Sequence, residues 1–521
     1  MCHNNLIVPC NIAFLVFLPM ILFGQAKPTR SYVPVDKNLD SQWVQSLYQK
    51  GDRKVYQGNE LTHLAMPCGG IGAGQVEITG DGTLCFTESV YNQVQSENAN
   101  GGLGWNNGAQ YLHPQVPKTK IENGFAIRIK EEEQEPQVFQ LSYKDFDDLH
   151  FIGEYPMATL VYRKTGANLP VEIQAEVFSP FVPLDLRSST NPVTILRFSV
   201  TNTTRKTVDV MIAGWMQNAT FPKKGENKVN KVVRGQGLTG ILFSSQPELI
   251  GDKPPSEKVQ GKEILRGNGS PQWGDLCISV LDEKANTTVS SISAEEYLYA
   301  LKQQKVDGSE NKIYASNETG GGGVASDFKL APYKTKTLTF LVTWYFPNLS
   351  ETSPDAGSPG LVGHFYNNWY TSSFDVAKYV SSNFNQLYND TKLFHDTYFD
   401  NTLPYWLANR ISMPVSALAS GTISIWENGR MFGYEGIGFC PGTTGHVYNF
   451  VTAISKLFPG LERSVRLMQD LNDSAGFSQS GRINIRGLGT DGLKFKCPDD
   501  ICRFQRDQQD IVVQWLDQVS K

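Results

Sequence analysis

Positive charge is scarce in this chain: Lys and Arg number 47 against 52 Asp and Glu, a net charge of −5 over 521 residues. A nucleic-acid binder needs a basic face, so this balance argues against that class. The clearest basic stretch, Lys223-Lys224 through Lys228, Lys231 and Arg234, is broken by Gly225, Glu226 and Asn227 and reads as a solvated loop. Metal-ligand patterns are also missing. The seven histidines show no ligand spacing, no His-Glu-x-x-His string occurs, and the cysteines lack finger spacing. No cofactor or metal is therefore expected. Eight cysteines are too few for a disulfide scaffold in so long a chain. Cys68 with Cys85, and Cys497 with Cys502, could pair in an oxidising compartment, and for most a free or buried thiol is the plainer reading. Long apolar runs are absent except near the start, where Ile12 to Phe23 is followed by Gly24-Gln25-Ala26. Residues 1–26 read as a signal peptide with small residues for cleavage, although its first part lacks Lys and Arg and an uncleaved anchor would look similar. The expectation is a secreted or periplasmic protein with no firm membrane span once the leader is removed.

Apolar residues make up 40% of the chain, enough for sizeable cores, and the length favours two or three domains. From Leu61 to Phe346 the pattern is strands and turns. Val171, Ile173, Ala175 and Val177 alternate with polar residues, as do Val208, Val210 and Ile212. The β-rich runs Val193–Val200 and Lys336–Trp344 are bounded by turn formers. Many short strands without intervening helices predict an antiparallel sandwich, assigned to residues 30–350. The Pro-, Gly- and Ser-rich run Glu351 to Gly360 marks a boundary, with a linker over 351–372. Beyond it Val376, Tyr379, Val380 and Leu387 recur at helical spacing. A second helical pattern starts near Val447, is interrupted by Pro459-Gly460, and resumes at Leu461, Val465 and Met468.

Two glycine-containing motifs suggest familiar chemistry and fail on context. Gly69-Gly70-Ile71-Gly72-Ala73-Gly74 is not the dinucleotide fingerprint, because a hairpin turning at Gly80-Asp81-Gly82 follows it rather than a helix. Gly476-Phe477-Ser478-Gln479-Ser480 lacks the closing glycine of a nucleophile elbow. The segment Trp426 to Glu462 is different. Glu435 is a lone acid in a Gly-rich, aromatic-lined, almost uncharged stretch, followed by Thr443, Thr444, His446 and Asn449. Pyranose rings have apolar faces fringed by hydroxyls, and a partly desolvated carboxylate among aromatic and hydrogen-bonding side chains suits them. A buried structural glutamate is the competing reading from composition alone.

Several stretches of the chain resemble glycoside hydrolase family 116, the family of non-lysosomal glucosylceramidase and bacterial β-glucosidases. They are Pro67 to Gly74, Phe399-Asp400-Asn401-Thr402-Leu403-Pro404, Tyr434-Glu435-Gly436, and Val447 with Leu457-Phe458-Pro459-Gly460-Leu461-Glu462. The similarity runs from about Leu61 to Asp491. It implies an N-terminal β-sandwich followed by an (α/α)6 toroid, and a retaining mechanism on a β-glycoside or related glycan. Glu435 would be the nucleophile, with a second carboxylic acid about 5–5.5 Å away as acid/base. Thr444, His446, Asn449 and Asp491 would line the sugar site. A surface turn at Thr490-Asp491-Gly492 competes for Asp491, and a charge at a helix start competes for Glu462.

Two departures from the family qualify this. His446 stands where glucosylceramidase-like members carry an Asp, so glucose specificity does not transfer. The family's acid/base lies in an Asn-Thr-Tyr-Asp-like string well beyond the nucleophile, and no such string follows Glu435 here. A twelve-helix toroid also needs far more than residues 373–521 at about 11–12 residues per helix. The expectation is therefore a partial toroid with little or no activity in this chain. The competing class is a non-catalytic remnant or glycan-binding protein.

Overall fold

The computed structural model describes residues 37–92, 121–221, 227–246, 256–259, 262–265, 269–289, 293–303, 309–351, 360–436, 439–441 and 454–472. The chain divides into two compact units at Gly51/Asp52. In the first, a short helix spans Ser41–Ser46, and the Asp40 side chain caps it by accepting the Trp43 amide. The second unit, Asp52–Lys521, holds the sheets and the remaining described helices.

The alternating segments form two antiparallel sheets. Neighbouring strands in the larger run Asn311–Tyr314, Asn227–Gly235, Leu238–Gln246, Asp275–Val280, Thr335–Tyr345, Val193–Asn202, Val171–Phe178, Met157–Arg163 and Asp148–Glu154. The smaller sheet runs Asn286–Thr288, Gly321–Leu330, Val208–Gln217, Asn123–Lys130 and Gln137–Gln140. Period-2 patterning puts Val171, Ile173, Ala175 and Val177 on one face, and all four are buried. Phe125 from the smaller sheet meets Phe198 and Phe340 of the larger at ring separations of 5.1 and 5.4 Å, which closes the sandwich core. The outer face of the smaller sheet is covered by the helix Ala294–Gln303, whose Tyr297 and Leu301 pack on Met211, Ala213 and Trp215.

Part of the basic stretch differs from expectation. Residues 227–235 are a ladder strand rather than a solvated loop, with Asn230 and Val232 buried while Lys231 and Arg234 face water. The charges dominate the local composition and mask the apolar residues between them. The Cys68–Cys85 pairing does not form either. Cys68 is a free thiol buried against the Thr194 hydroxyl, and burial pushes it far from the thiolate form. Cys497 and Cys502 lie outside the described residues.

The larger sheet is apolar on both faces, because its second face carries the long helix Ser373–Phe399. Along the strand Thr335–Tyr345, Phe340, Val342 and Trp344 point into the sandwich, while Leu341 and Tyr345 meet Val376, Ala377 and Val380 of the helix. The Ser372 hydroxyl caps the helix by accepting the Asp375 amide. Buried Asp275, its carboxyl pushed up to about 7 by burial, accepts the Ser373 amide at 2.6 Å. At the far end His395 bridges Glu154 and Asp396. The chain then turns at Asn401 and re-enters a helix at Tyr405–Ser412. Further helices at Ile454–Leu457 and Pro459–Val465 continue into a π turn, Arg466–Asp470. No described helix is long and apolar enough to cross a membrane.

Candidate functional site

Glu435 lies on a strand, Met431–Gly436, that pairs with Ile423–Ile425 on one side and Phe439–Pro441 on the other. The Gly-rich appearance of this stretch comes from a three-stranded meander. Its first turn is Trp426-Glu427-Asn428-Gly429-Arg430. The Trp426 amide donates to the Arg430 carbonyl, the Gly429 amide to the Trp426 carbonyl, and Asn428 Oδ1 accepts the Arg430 amide. Gly429 takes φ +86°, a conformation that costs glycine little.

An aromatic wall flanks the strand. Trp426 stacks on Phe432 at 5.0 Å, and Phe432 meets Tyr434 edge-on at 5.6 Å. The Arg430 guanidinium, fully buried, sits 4.7 Å from the Trp426 ring centre and donates to Gln469. Ser464 accepts the Met431 amide through its hydroxyl, so the last described helices buttress the strand from behind.

The segment leading into the long helix holds the other side. Val362, Phe365, Tyr366 and Asn367 are buried. His364 forms a β-bridge with Trp426, stacks on Tyr366 at 4.5 Å, and shares a hydrogen bond with Asn92. Burial pulls the His364 pKa down to about 3, so its imidazole is neutral at ordinary pH. Glu427 is also buried and accepts from Asn367 Nδ2 at 3.0 Å.

The glycine loop is the third support. The Gly72 amide donates to Leu418, the Ile71 amide to Ser189, and the Trp344 indole N–H to the Ala73 carbonyl. A Cβ on Gly72, at φ +61°, would lie 2.5 Å from Ile425, so the loop packs directly on the meander. Just before the strand Val76–Thr79, Gln75 accepts the Gly421 amide at 2.6 Å and donates to Glu77 at 2.6 Å. The Glu77 carboxyl is pushed up to about 7 by burial, an effect partly offset by the Gln75 bond. A folded-state pKa above the unfolded value of 4.5 means the folded protein keeps a proton that the unfolded chain has lost. Stability from this group is present below pH 4.5 and is lost as pH rises towards 7, by on the order of 3 kcal/mol. Glu77→Gln should remove that slope. Urea unfolding of both forms at pH 5 and pH 8 checks it: the variant's advantage should grow with pH, and parallel profiles would rule it out.

Of the residues expected to act, Glu435 is described in its backbone only, in the position given above. Thr444, His446, Asn449 and Asp491 lie outside the described residues. Glu462 sits in the first turn of Pro459–Val465 and pairs with Arg466 at 2.9 Å, which suits a helix-start charge. The supports Asn92, His364, Asn367 and Glu427 were not foreseen. Only the Glu-Asn-Gly turn signal at 427–429 hinted at any of them. The other three lie 60 to 335 positions from Glu427 and are brought to this turn by the fold, Asn367 to Glu427 itself, His364 to Trp426 and Asn92 to His364. Among the described residues, no cluster of His, Cys, Asp or Glu could hold a metal ion.

Comparison with known proteins gives the family. The model for the N-terminal domain of glycosyl-hydrolase family 116, described as β-glucosidase 2, matches residues 65–389. No curated protein matches. Solved structures with some likeness include a protein described as a kojibiose phosphorylase from the human microbiome, at 10% identity and TM-score 0.32, covering 70% of this chain and 42% of that one. A family GH92 α-mannosidase from Bacteroides thetaiotaomicron shows 10% identity and TM-score 0.28 over 71% of this chain and 42% of its own. A galactose mutarotase related enzyme from Lactobacillus acidophilus shows 11% identity and TM-score 0.24 over 54% of this chain and 97% of its own. This chain thus spans less than half the length of the first two. With the family model matching well over half of its residues, from the glycine loop through most of the long helix, the chain belongs to glycosyl-hydrolase family 116.

Proposed function

We propose that the protein is a retaining β-glycosidase, acting on β-glucosides or related glycans outside the cytoplasm, with Glu435 as nucleophile. The observation that carries this reading is the anchored strand. In a family 116 chain, the Tyr434-Glu435-Gly436 string stands on a meander braced from three sides, beside a wall of Trp426, Phe432 and Tyr434. An aromatic side chain beside the Glu435 backbone, such as half-buried Tyr434, would suit the apolar face of a pyranose. In the first step a Glu435 carboxylate oxygen would bond to the anomeric carbon as the aglycone oxygen departs, giving a glycosyl-enzyme that water later cleaves. The helices Ser373–Phe399 and Tyr405–Ser412 would open an (α/α)6 toroid. Leu393, Trp406 and Ile411 on these helices are exposed, apolar surface of the kind further helices cover.

The test needs no acid/base. With 2,4-dinitrophenyl 2-deoxy-2-fluoro-β-D-glucoside, the leaving dinitrophenolate departs without a proton and the fluorine slows hydrolysis of the adduct. The full chain should gain one fluoroglucosyl mass, mapped by peptide sequencing to Glu435. An unlabelled protein, or label on another residue, would refute the assignment.

A further inference from the structure

We propose that Glu427 and Asn367 are positioning residues for the Glu435 strand; this rests on Glu435 being the nucleophile. Turn 426–430 closes through its own hydrogen bonds and through Gly429, so forming it does not require the Glu427 side chain. What Glu427 adds is attachment. Its carboxylate Oε2 accepts from Asn367 Nδ2 at 3.0 Å, its amide donates to the Gly363 carbonyl at 3.1 Å, and its carbonyl accepts from Asn368 Nδ2 at 3.0 Å. Asn367 is itself fully buried and also donates to the Pro347 carbonyl at 3.0 Å, just past the sandwich strand Thr335–Tyr345. One amide therefore joins the exit of the sandwich to the turn that starts the Glu435 strand.

The cradle is shaped for a carboxylate. Gly363 lies at φ +65°, and a Cβ there would sit 2.1 Å from Glu427 Oε2. Burying a carboxyl group costs more than burying an apolar side chain of the same size. A site needed only to fill space would be met as well by Leu or Met. The bond to Asn367 is directional, and it sets where the preformed turn sits rather than what shape it takes. Glu427 is a positioning residue and not a catalytic one. It is capped by Gly363 and Asn367 and acts through the strand that follows it.

A displaced nucleophile loses rate more than binding, since a shift of about 1 Å costs on the order of a hundredfold. With the full chain and the fluoroglucoside above, Glu427→Ala and Asn367→Ala should lower the maximal labelling rate about 10- to 100-fold, while half-saturation stays within about threefold. Glu427→Gln should recover to within about threefold of the parent, because its amide oxygen still accepts from Asn367. Glu427→Met, which keeps the volume without the oxygens, stands in if the alanine variant does not fold. Equal labelling rates per folded molecule in parent, Glu427→Ala and Glu427→Met would overturn the proposal. If the parent itself takes no label, the nucleophile reading fails, and hydrogen exchange decides the positioning claim alone. Exchange in the peptide 428–436 should rise in Glu427→Ala and Asn367→Ala but not in Val193–Asn202, and unchanged exchange in 428–436 would overturn it.

Discussion

In a form of the protein that turns over an activated β-glucoside, replacing Glu435 with Gly should lower release of dinitrophenol by at least about a thousandfold, and sodium azide should restore part of the rate. The glycine removes the carboxylate and leaves room beside the anomeric carbon. Azide is small and anionic and can enter that space. It attacks the carbon from the vacated side as the bond to dinitrophenolate breaks, and the product is an α-glucosyl azide. No proton is needed by the leaving group, so the result isolates the nucleophile from any acid/base. The stereochemistry of the azide product, read by NMR, separates this outcome from a general effect of salt. Glu435→Gln should be equally slow and should not respond to azide, because the amide still fills the space. Turnover near the parent rate in either variant without azide would take Glu435 out of the mechanism.

The second large effect concerns stability. Gly70→Ala should cost several kcal/mol, at the upper end of what single substitutions do. A Cβ at Gly70 would sit 2.2 Å from the Asn191 carbonyl oxygen and 2.8 Å from its carbon. Both are backbone atoms, held by the bond from the Ile71 amide to Ser189 and by the strand that begins at Val193. No side chain can swing away, so the loop or the strand must move. Movement of the loop would carry Gly72 off Ile425 and disturb the meander as well. Gly166→Ala is the control. It has φ +71° but nothing within 4 Å, so only backbone strain of about 1–2 kcal/mol is expected. Denaturant unfolding of both variants checks the difference. Similar losses would show that conformational strain, and not the close approach, sets the glycine at 70.

The sandwich strands were legible because burial on one face leaves a period-2 trace, as at Val171 to Val177, and the long helix because Val376, Val380 and Leu387 share one stripe. The start of the helix Pro459–Val465 was legible for a simpler reason: proline cannot continue the preceding helix but fits a first turn. Strand 227–235 was not legible because exposed Lys231 sits between buried Asn230 and Val232 in a run dense with charge, which masks the alternation. The Cys68–Cys85 pairing failed for want of any rule linking spacing to geometry. Glu435 was found by the contrast of one acid with its aromatic, uncharged neighbours and by the family string. Its supports were hidden, since nothing in the local pattern at Asn92, His364 or Asn367 points to residue 427.

What the amino-acid sequence determined by itself is local: which segments alternate, which carry a helical stripe, where glycine and proline stop them, and where a lone acid sits among aromatics. What only the tertiary structure decided is which distant backbones touch. The glycine loop meets Asn191 and Ile425, and Asn367 and Gly363 enclose Glu427. Periodicity reports whether a residue faces water or the interior, but not which interior partner it finds. A site held by contacts between segments far apart in the chain is therefore assembled by the fold, and its residues acquire their roles only there.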